Sequence, residues 1–295
     1  MKVLSLFSVV RGYNIFIIVL AQYLSSIFIL APEKRALDVI LDWRLFIIVF
    51  VSTLTIASGY IINNFYDSEK DLINRPNKSM LDRLVSQKTK LKVYFGLNFL
   101  ATALAYIISW RAALFFAAYI FMIWFYSHKL KKYPIVGNLT ASLLAVLPFF
   151  GILLYFKNFY HVIFAHASFL LLLILIREMI KDLQNIKGDI ANDYQTIPVR
   201  FGEKTSKRII TLLTVSTIIP VYILIEKYDV GYMDIYFYIS LIVLVLFLLK
   251  LWKSQTQEEY LQLHNILKSL IVAGVFCILL IDPSVLLNGR ALLKI

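Results

Sequence analysis

Long apolar stretches, broken by short polar ones, set the pattern of this chain. Apolar runs recur at roughly residues 8–30, 43–64, 91–109, 112–127, 138–156, 160–180, 206–225, 232–252 and 265–282. As helices rising 1.5 Å per residue, nearly all are long enough to cross about 30 Å of hydrocarbon. The third and fourth runs meet at Trp110-Arg111. The pattern predicts an all-α, polytopic membrane protein with nine transmembrane helices around a central cavity. The first run reads as a helix and not as a cleaved signal peptide, because Arg11 and Asn14 interrupt it and no small-residue cleavage site follows.

Composition agrees. Of the 295 residues, 60% are hydrophobic and 16% charged, more apolar than a soluble domain of this size. No linker separates a second unit, so residues 1–295 read as one membrane domain. The single cysteine, Cys277, falls in the last run. It excludes a disulfide framework and reads as a buried structural thiol. Lysine and arginine concentrate in alternate loops: Lys70 to Lys92, Lys129 to Lys132, Lys181 to Arg208, and Lys250, Lys253 and Lys268. With Lys2 and Arg11 on the same side, the N-terminus is expected in the cytoplasm and, after nine crossings, the C-terminus outside the inner membrane. The net charge of +12 is then topology signal plus attraction to anionic membrane lipids. The basic residues are dispersed and no nucleic-acid motif occurs, so nucleic acid is not an expected partner. No Ser-His-Asp order, Cys/His metal spacing or Gly-rich nucleotide loop is present. His161 and His166 fall near the far face and read as structural.

Two polar islands remain, at 65–90 and about 181–205. Asp67 is followed by Lys88-Thr89, and Asp182, at a nearly equal distance, by Lys204-Thr205. Each Lys-Thr precedes an apolar helix, which suggests a four-helix internal repeat. On a helix, Asn63, Asp67 and Asp71 step by about 40° each. Glu178, Asp182, Asn185 and Asp189 share a face in the same way, unless Gly188 breaks the helix first. Carboxylates stacked at i, i+4 repel unless a cation lies between them. Oxygen-only stripes suit Mg²⁺, which binds a few carboxylates together with substrate phosphates. Arg75, Lys78, Lys131, Lys132 and Arg200 would neutralise further phosphate oxygens. Solvated acidic loops and a cation transporter are the competing readings; transporter sites lie nearer the bilayer midplane than these helix ends.

These residues carry a resemblance. Asn63-Asn64-Phe65-Tyr66-Asp67-Ser68-Glu69-Lys70-Asp71, followed by Arg75-Pro76, resembles the first aspartate-rich motif of the UbiA-type intramembrane prenyltransferases, with Asn64 in place of an Asp. Glu178, Asp182, Asn185, Gly188 and Asp189, then Thr196-Ile197-Pro198 and Gly202, resemble the second, with Asn185 in place of an Asp. "YSHKLKKYPIVGN" (126–138) and Arg11-Gly12-Tyr13-Asn14 are similar to further family segments.

The resemblance implies a nine-helix enzyme with a cytoplasmic active-site mouth. It would transfer a prenyl group from a polyprenyl diphosphate to a lipophilic acceptor, with Mg²⁺ as cofactor. Asn63, Asp67, Asp71, Glu178, Asp182 and Asp189 would be metal ligands, and Asp67, Asp71, Asp182 and Asp189 catalytic. Tyr126 would line the cavity that shelters an allylic cation, or serve as an interfacial tyrosine. Arg11 and Asn14 would bind an anionic group, or Arg11 would only anchor the first helix. "KDLQNIKGD" and "RGYN" look most like the branch that alkylates geranylgeranylglycerol phosphate in ether-lipid synthesis. The alternative is the quinone branch, whose acceptor is 4-hydroxybenzoate or a dihydroxynaphthoate. Lys131 and Lys132 are expected to hold the acceptor's phosphate, and Asn64→Asp is expected to be tolerated.

Overall fold

A computed structural model describes residues 2–287, and every regular element among them is helical. The carboxyl-terminal end, expected on the outer side, lies outside the described residues. Among the described residues, nine long helices are apolar and long enough to cross a membrane: Gly12–Leu30, Trp43–Tyr66, Gln87–Ile108, Trp110–Lys132, Val136–Phe156, His161–Gln184, Glu203–Lys227, Met233–Lys253 and Gln257–Leu280. They are called the first to ninth helices below.

Their limits have local causes. Asp42 caps the second helix by accepting from the backbone N–H of Arg44 at 3.0 Å. Ser109, extended at φ −174°, separates the third and fourth helices and caps the fourth through Ala112 N–H at 3.1 Å. Thr256 and Glu259 form a capping box at the start of the ninth. The seventh helix is interrupted at Thr217, three residues before Pro220, whose ring and missing N–H disturb the hydrogen-bond ladder.

Three details depart from the sequence reading. The first apolar run is not continuous. Arg11 adopts a left-handed conformation (φ 53°, ψ 54°) that ends a separate helix, Lys2–Val10, before the first long helix begins. The ninth helix starts at Gln257, so Lys268 lies inside it and not in the preceding loop. Cys277 is half-buried, not buried.

The second and sixth helices, which carry the two acidic motifs, are the most enclosed of the nine, with 67% and 50% of their most apolar windows buried. Each is followed by two short helices and then another long one. Ser68–Asn74 and Pro76–Asp82 lead to Gln87–Ile108; Ile186–Ala191 and Ile197–Phe201 lead to Glu203–Ser216. This matched order, with each Lys-Thr pair in the first turn of its long helix, agrees with the internal repeat.

The two islands are tied together directly. The Gly188 N–H donates to Asn74 Oδ1 at 3.1 Å, and Gln257 Nε2 donates to the Asn74 carbonyl at 3.2 Å. A Cβ at position 188 would lie 2.3 Å from Asn74 Nδ2, so only glycine permits this approach. Gly188→Ala is therefore expected to destabilise the protein by about 1–3 kcal/mol. Thermal unfolding in detergent reads the change, and a melting temperature equal to wild type would show that the contact is dispensable.

Candidate active site

The i, i+4 stripes do not run on unbroken helices. The second helix stops at Tyr66 and the sixth at Gln184; Asp67 (φ −91°, ψ 4°) and Asn185 (φ −106°, ψ 12°) each form the joint to a short helix. The interruption thus falls at Asn185 and not at Gly188. Backbone hydrogen bonds still cross the first joint, from Asp67 N–H to Asn63 O at 2.9 Å and from Asp71 N–H to Asp67 O at 2.8 Å. The stripes survive, and both open on one cleft of about 630 Å³, open mouth included. Asn63, Asp67 and Asp71 line it from one side of the repeat, and Glu178, Asp182 and Asn185 from the other. Arg11, Arg75, Tyr126 and Lys131 also line it, as expected from the sequence.

Lysines neutralise the carboxylates. Lys131 Nζ donates to Asp67 Oδ1 at 2.6 Å and to Asn63 Oδ1 at 3.3 Å. Asp67 also accepts from Asn63 Nδ2 at 2.9 Å and from the Tyr194 hydroxyl at 3.2 Å. Lys181 pairs with Glu178 at 2.8 Å, and Lys70 pairs with Asp189. Asp182 accepts from Asn138 Nδ2 at 2.7 Å. Burial alone would raise the pKa of Asp67, but the ammonium groups of Lys131 and Lys70 outweigh it and hold the value at about 2. Asp71 shifts upward, through burial and then the neighbouring Asp67 charge. For Lys70, burial pulls the value down, and the charges of Asp67 and Asp189 more than restore it.

Other expected residues lie elsewhere. Asp189 is fully buried behind the cleft, accepting from Thr196 Oγ1 at 3.1 Å and holding Lys70. Lys132 and Arg200 are exposed and do not line the cleft, nor do Asn14 and Lys78. The cause for Lys132 is the 3-10 turn Leu130–Lys132, which turns consecutive side chains about 120° apart. Lys131 points in, and Lys132 lies over the Tyr194 ring at 5.3 Å. In the helix Ile197–Phe201, Ile197 and Pro198 take the buried face, which leaves Arg200 outside. Lys131 is thus the partner of Asp67 in this structure.

Asn64 serves as a hydrogen-bonding amide outside the cleft. It faces away from the cleft, accepting from Lys90 Nζ at 2.8 Å and donating from Nδ2 to Asp82 Oδ2 at 3.0 Å. Ser8 Oγ donates to the other Asp82 oxygen at 2.9 Å. A carboxylate at position 64 would abut that of Asp82. Sequence reasoning missed Lys70, Asn138, Lys181 and Tyr194 as site residues. Lys181, three residues after Glu178 on a helix, carried a readable signal; Tyr194 carried none.

The donor set fits a hard divalent cation. The facing groups are carboxylates and amides, all oxygen donors on the acid side. Asn185 Oδ1 is buried on the cleft wall without a hydrogen-bond partner. Among the described residues no three acidic, histidine or cysteine side chains already converge as a metal cluster, because lysines stand between them.

Such a cleft, set between the most enclosed helices of an apolar bundle, is that of a multi-pass membrane protein. The chain belongs to the UbiA prenyltransferase family, which it matches over residues 19–266. It is 33% identical over 176 residues to the digeranylgeranylglyceryl phosphate synthase of Thermococcus sibiricus, a match that takes in 59% of this chain and 61% of that one. A solved digeranylgeranylglyceryl phosphate synthase shares the fold with a TM-score of 0.69 at 22% identity, over 94% of this chain and 97% of the other. A UbiA homolog from Archaeoglobus fulgidus, solved with DMAPP and Mg²⁺, also has a TM-score of 0.69, at 15% identity over 93% of this chain and 98% of the other.

Two expectations follow. Lys131→Met leaves Asp67 without its nearest cation and should cost about 3–5 kcal/mol of stability. Adding Asp67→Asn should recover most of the loss in the same unfolding assay; unchanged stability of Lys131→Met alone would remove the pair from the account. Asn64→Asp should lower the melting temperature through repulsion from Asp82, and Asp82→Asn should restore it. A fully stable Asn64→Asp protein would show that Lys90 absorbs the added charge.

Proposed function

We propose that the protein is an integral membrane prenyltransferase that moves a geranylgeranyl group from geranylgeranyl diphosphate to the glycerol hydroxyl of geranylgeranylglyceryl phosphate. The observation that carries this reading is the convergence of two carboxylate stripes, one from each half of the repeat, on a single cleft. The digeranylgeranylglyceryl phosphate synthase relatives support the acceptor, and the homolog holding DMAPP and Mg²⁺ supports the donor class and the metal. The basic bias of the loops on the cleft side supports a cytoplasmic mouth and a cytoplasmic N-terminus.

Asn63, Asp67 and Asp71 on one wall and Glu178, Asp182 and Asn185 on the other would hold Mg²⁺. When bound, the metal supplies charge neutralisation for a departing diphosphate. The protein's own groups do the rest. Lys131, Lys70 and Arg75 line the cleft and present cations to phosphate oxygens. Asp189 acts behind Lys70 and orients its ammonium. As the donor's C1–O bond breaks, its electron pair leaves with the diphosphate. The acceptor's hydroxyl oxygen bonds to C1, and its proton passes to the departing diphosphate. Tyr126, on the cleft wall, offers a ring face to the allylic cation.

Purified protein supplied with geranylgeranyl diphosphate, Mg²⁺ and geranylgeranylglyceryl phosphate should form the diether, and a chelator should stop it. Asp67→Ala and Asp182→Ala should each lower kcat by about 10²-fold or more. Prenylation of 4-hydroxybenzoate or a dihydroxynaphthoate with no diether would instead assign the protein to quinone synthesis.

A further inference from the structure

Lys268 lies about three turns into the ninth helix, and His264 precedes it by one turn on the same face. Arg177 of the sixth helix meets them, with Nε 3.4 Å from His264 Nε2. Arg11, from the break before the first helix, borders the group from the adjoining cleft, and its charge acts on Lys268. The Arg11 guanidinium lies 5.2 Å from the Tyr60 ring centroid, and the Lys268 ammonium 5.0 Å from that of Tyr13.

None of the three full cations forms an ion pair among the described residues. The nearby carboxylate of Glu178 is already held by Lys181. His264 Nδ1 is buried without a partner. Cations within an apolar bundle are costly, and like charges gathered there raise the cost further. The imbalance is what an incoming anion would relieve. Arg177, His264 and Lys268 do not line the carboxylate cleft, although Arg11 does and Arg177 is next to Glu178; Lys131 belongs to the fourth helix and Lys70 to the connection after the second. Tyr13, beside Lys268, is 56% exposed on the outer surface of the bundle, so a ligand with a long apolar chain can reach the group from the side.

We propose that Arg177, His264 and Lys268, with Arg11, form a second anion subsite that binds the phosphomonoester of the acceptor lipid separately from the diphosphate. This rests on the acceptor reading given above. It is preferred to Lys131 and Lys132 for that phosphate, because Lys131 sits at the stripe beside Asp67, where the diphosphate is held, and Lys132 lies outside the cleft. With the two anions held by different side chains, the acceptor's hydroxyl is anchored from its phosphate end while the donor's diphosphate is held at the stripes.

Steady-state kinetics test the assignment. Lys268→Met and Arg177→Met should raise KM for geranylgeranylglyceryl phosphate about tenfold or more while changing KM for the diphosphate less than about twofold. Lys268→Arg should restore most of the acceptor affinity. Equal rises in both constants, or no change in either, would overturn the subsite. A second measurement is independent of turnover. Geranylgeranylglyceryl phosphate should raise the melting temperature of the wild-type protein, geranylgeranylglycerol and inorganic phosphate should not, and the shift should vanish in Lys268→Met. A full shift from inorganic phosphate alone, or an undiminished shift in the variant, would also overturn it. Lipid binding that depends on Lys268 in a protein that makes no diether would leave the subsite standing and remove the proposed reaction. Diether formation with unaltered constants in both variants would do the reverse.

Discussion

Burying carboxylates without compensation is what this structure has to avoid. Five acidic side chains, Asp67, Asp71, Glu178, Asp182 and Asp189, gather at one end of an apolar bundle, where each ionised group loses most of its hydration. The chain answers with a lysine for each of three of them and an amide for a fourth. These lysines reach in from different elements: the 3-10 turn that ends the fourth helix, the short helix after the second, and the sixth helix itself. Charge balance therefore governs how connections that are distant in sequence must pack. Under the proposed function, a binding site for a cation and a polyanion would be its by-product, since the same lysines and acids could exchange partners when substrate arrives.

Packing at the joints serves that balance. The helices stop at Asp67 and Asn185, so the chain beyond each can turn over the cleft while the stripe keeps its direction. The Asn74–Gly188 contact locks the two covering helices together, and Gln257 fastens the same asparagine to the start of the ninth helix. Asn64, Asp82, Lys90 and Ser8 form a separate buried network that binds the Lys2–Val10 helix to the third helix. One neutral amide there satisfies a lysine and an aspartate at once, which a second carboxylate could not.

Much of this was legible in the sequence, because apolar runs and i, i+4 acid spacing follow directly from helix geometry. All nine helices and the two facing stripes were readable in that way. The start of the ninth was not, since its first two turns, from Gln257 to His264, are too polar for a hydropathy reading; only the Thr256–Glu259 capping box marks them. The helix break at Arg11 escaped for another reason: the sequence marks Arg11 as a polar residue within the run, but a left-handed backbone there has no sequence signal of its own. Lys131 and Lys132 are adjacent and chemically alike, and only the tight turn that carries them decides which one enters the site. Asn64 sits next to Asn63, about 100° around the helix, so the likeness of the pair hid their opposite directions.

The matched halves have one more consequence. Each supplies one wall of the cleft, and neither holds a whole site. Any polyanion bridging the walls acts as mortar: its binding energy is also cohesion between the halves. By mass action, occupancy must then resist whatever pries the second and sixth helices apart, whether heat, detergent or a strained bilayer. A half-length ancestor, with a single stripe, could have assembled such a cleft only by pairing with its own copy.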